Sequence, residues 1–347
     1  MKLGLSLNYS GGFKEAVDHV VELEKVGADI VLVAEAYSYD AVSQLGYLAA
    51  KTSTIELGSG VFPIYTRTPS LLAMTAAGLD YVSDGRFQLG IGTSGPQVVE
   101  GFHGLPFDSP LGRTREVVEI CRQVWRRERV KYDGKHYQVP LPAERGTGLG
   151  KPLQLINHPA REQIPISIAA LGPKNVELTA EIANGWQPIF FYPEKAQAVW
   201  GEALAAGQAR RDPALGPLDV MVGTSLAIGD DVDQRLEWLK PQLALYIGGM
   251  GAKGRNFYHN LATRYGFGDI ADKIQELYLG GNKQDAIAAV PDELVRSISL
   301  VGPRGFVAER VAAFAEAGVT TLLATPVSSD RSESVRFIEQ LRALLPS

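Results

Sequence analysis

The stretch Phe87-Gln88-Leu89-Gly90-Ile91-Gly92-Thr93-Ser94-Gly95-Pro96 decides between two folds. It is a short apolar run that ends in G-x-G-x-x-G, the spacing of a dinucleotide-binding turn. Such a turn must run directly into a helix whose N-terminus receives a pyrophosphate, with an acid about 20 residues later at a strand end. Here Pro96 suits a first helical turn, but Gly101 and Gly104-Leu105-Pro106 soon interrupt it, and Glu116 and Glu119 fall within a helical pattern. The same glycines suit the mouth of a barrel strand, where missing side chains let a flat ring or a phosphate approach the backbone.

Outward from this stretch, short β-branched runs alternate with amphipathic helices. Strands are predicted over residues 2–7, 30–34, 55–61, 87–91, 164–169, 185–190, 218–227 and 320–324. Ala16, Val20, Leu23 and Val26 recur at helical spacing and stop at Gly27; Val307, Val311, Phe314 and Ala317 do the same before Gly318. Glycine just past a helix end is the usual C′ residue. A doubly wound open sheet also alternates in this way, but eight units without a composition break predict an α/β fold closed into a (β/α)8 TIM barrel. The 347 residues are read as one domain with two insertions, at about 130–153 and 230–296. In the first, Asp133-Gly134 between aromatic flanks predicts a β-hairpin; the second carries Gly248-Gly249-Met250-Gly251 and two more helical patterns, and reads as a lid or a dimer surface.

Composition narrows the function classes. A net charge of −5 with interspersed signs gives no basic face for nucleic acid. No apolar stretch reaches the roughly 18 residues of a membrane span, and the N-terminus lacks the marks of an export signal, so a soluble, cytoplasmic protein is expected. Cys121 is the only cysteine and lies in a helical pattern, as a buried apolar residue would. The five histidines are isolated and there is no H-E-x-x-H or G-x-S-x-G, so no metal or hydrolytic site is predicted. His103 alone among them falls near the presumed mouth, where a packing role is the simpler reading. Glu35 closes the strand Ile30-Val31-Leu32-Val33-Ala34 at the rim where barrels keep reactive groups. It is either a proton donor or half of a salt bridge between strand ends. Ala170-Leu171-Gly172-Pro173-Lys174 closes another strand and opens a helix; it is either an anion cradle of free amides or an ordinary βα turn.

A longer ordered series is more specific than any of these. Leu57-Gly58-Ser59-Gly60-Val61-Phe62-Pro63, Arg67-Thr68-Pro69 and Asp80-Tyr81-Val82-Ser83-Asp84-Gly85-Arg86 precede Phe87-Gln88-Leu89-Gly90-Ile91-Gly92, and Ala183-Asn184-Gly185-Trp186 follows. This series resembles the bacterial luciferase-like superfamily, and most closely its coenzyme F420-dependent oxidoreductase branch. The resemblance implies a bulge with a non-prolyl cis peptide at Gly60-Val61 behind the deazaflavin ring. It implies Thr93, Ser94 and Gly95 beside the ring and ribityl chain, and Ala170, Leu171, Gly172, Pro173 and Lys174 on the phosphate. Glu35 falls where relatives carry an acid, the favoured proton donor or electrostatic partner. The next position, often a histidine in relatives, is Ala36, so no proton relay runs through it. The expected activity is hydride transfer between F420 and an organic substrate, a methylenetetrahydropterin, a carbonyl or an unsaturated carbonyl compound. The alternatives are an FMN-dependent two-component monooxygenase and a non-catalytic deazaflavin-binding barrel. A homodimer is the expected assembly.

Overall fold

The computed structural model describes residues 1–7, 12–251 and 253–346. Eight parallel strands close on themselves: β1 (Lys2–Leu7), β2 (Ile30–Val33), β3 (Glu56–Ser59), β4 (Phe87–Gly92), β5 (Ile166–Ala169), β6 (Gly185–Gln187), β7 (Asp219–Ile228) and β8 (Thr321–Pro326). Each pairs with the next in chain order, and Lys2 opposite Thr321 joins β1 to β8. These are the eight runs expected from sequence. The main difference is length: β6 stops at Gln187 rather than residue 190. The upper edge of β7 that it leaves free is taken by a short strand, Leu300–Gly302, opposite Leu226 to Ile228.

Parallel strands buried on both faces read as continuous apolar runs, as Ile30-Val31-Leu32-Val33 does. One face of each strand packs under the surrounding helices in a single large core. The other faces the barrel axis, where Ile30, Leu32, Met221 and Leu323 form a separate buried plug. Helix Phe13–Lys25 ends before Gly27, φ +91°, and helix Arg304–Glu316 before Gly318, φ +88°, the left-handed turns read from those glycines.

The hairpin of the first insertion pairs Tyr132 with Val139 and Asp133 with Gln138. Its loop is four residues long rather than the two that Asp-Gly suggests, because the buried Glu116 carboxylate accepts the N–H groups of Lys135, His136 and Tyr137 and opens the turn around itself. The second insertion holds more helix than its pattern promised. After helix Val232–Gly249 come Phe257–Ala262, Gly268–Leu279, Lys283–Ala288 and Asp292–Ser297. Tyr246 and Tyr258 from this insertion meet Phe190, just beyond β6, at ring separations of 5.2 and 6.1 Å. The insertion is thereby fixed beside the C-terminal mouth of the barrel. No helix among the described residues is long and apolar enough to cross a membrane.

Candidate active site

Side chains alternate along a strand, so the plug residues fix which positions face the axis. Continuing the alternation toward the C-terminal end brings up Ser6, Gly60, Gly92, Ala169, Gly223, Ser225 and Thr325. All are small. A Cβ at Gly223 would find none of the described residues within 4 Å. These small positions ring a well above Leu32, Met221, Leu323 and Gln187, although at Gly60 and Gly92 the place of a Cβ is already approached by Leu32 and Val61. The polar recess at the opposite end is self-contained, with Lys2 paired to Glu56 at 2.7 Å and Asp219 accepting from the Thr321 hydroxyl at 2.8 Å.

One wall of the well is an irregularity in β3. Its pairing with β4 runs as far as Gly58 opposite Gln88 and resumes with Phe62 opposite Ile91, so three residues face two. The Ser59 hydroxyl fills the break, donating to the Gly90 carbonyl at 2.7 Å and accepting from the Gly90 N–H at 2.9 Å. Within this bulge the Gly60-Val61 peptide is cis, as the family resemblance implied. Val61 is turned onto β4, where its Cγ2 stands 2.6 Å from the place a Gly92 Cβ would take. A Cβ at Gly90 would fall 1.8 Å from the Ser59 carbonyl oxygen. The first two glycines of the apparent fingerprint, Gly90 and Gly92, are therefore demanded by the neighbouring strand, not by the approach of a ring or phosphate. The helix after them, Pro96–Val99, is only four residues long.

Thr93, Ser94 and Gly95 form the turn above β4. Ser94 takes a left-handed φ of +57°, and a Cβ at Gly95 would meet open space. Next to them, Ala170 to Gly172 lead from β5 into helix Pro173–Ile182. Gly172 is its N-cap, with no side-chain cap and no atom within 4 Å of a would-be Cβ. First-turn amides without a side-chain acceptor, with Lys174 exposed beside them, fit an anion. The ten predicted cofactor positions thus come together at the ends of three consecutive strands, β3, β4 and β5. A helix N-terminus without a side-chain cap, beside a turn that leaves space at Gly95, offers backbone amides to a phosphate.

Glu35 stands at the end of β2, on the same arc. Its carboxylate accepts both arms of Arg67, at 2.5 and 2.8 Å, and the Ala41 N–H at 2.9 Å. Both side chains are largely buried, 10% and 12% exposed, and the guanidinium lies 4.5 Å from the Phe62 ring centre. The geometry is that of a salt bridge from the end of β2 to the loop before helix Pro69–Val82. Proton donation would first require Glu35 to give up Arg67. His103 packs edge-on against Phe102 with its Nε2 buried and unpartnered. Cys121 is buried in helix Pro110–Trp125, and burial pushes its thiol up to about 12, which leaves no thiolate at neutral pH.

Sequence reasoning missed two features. Arg67 was read only as part of a helix start; its link to Glu35 spans 32 residues and leaves no local signal. The small-residue well was legible by stepping two residues along each predicted strand from its apolar members, since the parity of all eight is set by their register.

The sequence model of the luciferase-like monooxygenase family matches residues 1–321. A Mycobacterium tuberculosis protein named "Putative coenzyme F420-dependent oxidoreductase Rv3520c" is 42% identical over 95% of this chain and 96% of its own. The 5,10-methylenetetrahydromethanopterin reductase of Archaeoglobus fulgidus is 29% identical over 97% of each chain. Among solved structures, the coenzyme F420-dependent tetrahydromethanopterin reductase of Methanopyrus kandleri superposes with a TM-score of 0.81 over 98% of this chain and 97% of its own, at 24% identity.

Proposed function

The chain belongs to the luciferase-like monooxygenase family, and from that premise we propose that it is an oxidoreductase that uses coenzyme F420 to exchange a hydride with an organic substrate. The observation that carries this reading is the arc formed by the bulge at Gly60-Val61, the turn at Thr93 to Gly95 and the bare N-terminus of helix Pro173–Ile182, around a well lined by small residues. The relative at 42% identity supports the choice of F420 over FMN. When bound, the deazaflavin supplies the hydride chemistry.

The residues supply position. The amides of Gly172 and Lys174 with the Lys174 ammonium would hold the phosphate, and Val61 would support the ring. Thr93 and Ser94 border the ring edge, and the insertion beside the mouth restricts water. Glu35 and Arg67 act as one unit that ties the loop after the bulge to β2, which favours the electrostatic reading of Glu35 over the proton donor. With alanine at position 36, no proton passes through that side chain.

Titration of the purified protein with F420 and with FMN, followed by two assays, tests the proposal: anaerobic oxidation of reduced F420 by carbonyl acceptors, and oxygen uptake with reduced FMN. F420 binding with anaerobic turnover is expected. Binding of FMN alone with oxygen uptake would replace this reading by the monooxygenase, and F420 binding without turnover on any acceptor would leave a storage protein.

A further inference from the structure

The rim of the mouth carries aromatic side chains that the fold does not use. Tyr37 and Tyr39 stand on the loop after β2, 69% and 81% exposed, and Phe102 on the loop after β4 is 65% exposed. Scattered exposed apolar residues are ordinary, but the rings of Tyr37 and Phe102 meet. Tyr37 and Phe102 lie 6.2 Å apart between ring centres, and His103 meets Phe102 edge-on at 5.1 Å. Two loops from alternate strands thus build one aromatic ladder at the C-terminal rim.

The charges on these loops are already engaged. Glu35 is held by Arg67, Asp40 by Ser43, Asp108 by Arg113, and Glu100 accepts the Phe107 N–H at 3.3 Å. The wall has large flat faces and presents no uncommitted cation from its own loops to an anionic substrate. Aromatic faces left open to water gain from a second flat apolar surface, whereas a carboxylate or phosphate moved against them loses hydration with nothing in return.

We propose that Tyr37 and Phe102 form the substrate-side wall of the mouth and that the substrate is a flat, uncharged carbonyl compound, an aromatic ketone or a conjugated cyclic enone. This assignment narrows the substrate class within the F420 reading and rests on it. It sets aside methylenetetrahydropterins that carry anionic tails across this rim.

A matched pair of probes, 2-acetylnaphthalene and 6-acetyl-2-naphthoate, tests the wall on the full chain by calorimetry, with and without F420. The neutral ketone is expected to bind about tenfold tighter than the carboxylate. A Tyr37→Ala/Phe102→Ala variant is expected to lose about tenfold in ketone affinity while F420 binding, followed by its fluorescence, stays unchanged. Equal binding of the two probes, or wild-type ketone affinity in the double variant, overturns the proposal. Failure of F420 to bind the wild-type protein sinks the functional reading instead, and the titration without cofactor separates the two results.

Discussion

The Glu35–Arg67 pair shows how a single residue's role turns on its partner. A lone carboxylate at a barrel rim invites an acid–base reading, but a fork of two hydrogen bonds at 2.5 and 2.8 Å commits this one to position. Removing one member of a largely buried pair strands the other charge, at a cost of about 3 kcal/mol. Glu35→Gln and Arg67→Met are therefore expected to lower stability by similar amounts in denaturant titrations and to reduce turnover alike. A loss of turnover in Glu35→Gln that Arg67→Met does not share would restore the proton-donor role. Gly90 makes a second residue-level test. Alanine there collides with the Ser59 carbonyl and is expected to cost about 3 kcal/mol, or to prevent folding, by analogy with overpacked cores. Gly172→Ala enters open space and is expected to leave stability within about 0.5 kcal/mol. Equal stability of the two variants would show that the bulge does not constrain β4. From sequence both glycines read as ring or phosphate contacts; only the register of the neighbouring strand reveals which one is structural.

Elements are held in place by single polar side chains reaching across several residues. Glu24, near the end of helix Phe13–Lys25, accepts the N–H groups of Ser53, Thr54 and Ile55 at 2.6 to 2.9 Å and ties the start of β3 to that helix. Burial opposes its charge, but these donors outweigh it and hold the carboxyl below the usual carboxylate range. Because the folded value is the lower one, its stabilisation is complete above the unfolded value of about 4.3 and fades as pH falls through the folded value. Glu24→Gln is expected to cost about 1–2 kcal/mol at neutral pH, with the gap from wild type closing below about pH 4; a gap independent of pH would contradict this. Asn256 does comparable work in the second insertion. It donates to the carbonyls of Tyr246 and Ile247 and accepts from the N–H groups of Tyr258 and His259, while only 1% exposed. Asn256→Ala is expected to cost about 3 kcal/mol and to speed amide exchange across residues 246–262 first; uniform acceleration over the whole barrel would contradict a local role. The helices of this insertion were under-read from sequence because several span only six residues, too short for a periodic pattern to stand out.

For the whole molecule, alternation of β and α named all eight strands of the barrel, since each is an apolar run buried on both faces. Closure itself is non-local, set by the pairing of Lys2 with Thr321 across almost the full chain. The residues that carried the family resemblance divide between the two ends. Asp80, paired with Arg161, and Arg86, which donates to the Ile55 carbonyl at 2.8 Å, brace the N-terminal end. Gly60, Val61 and the turn at Thr93 to Gly95 shape the C-terminal mouth. A motif can thus identify a family through residues far from its site. The central claim is that F420 lies on the β3 to β5 arc, and hydrogen–deuterium exchange with and without F420 tests it most directly. Protection of amides confined to residues 58–62, 93–95 and 170–175 is the predicted result; protection at the N-terminal end, or none on this arc despite binding, would contradict it.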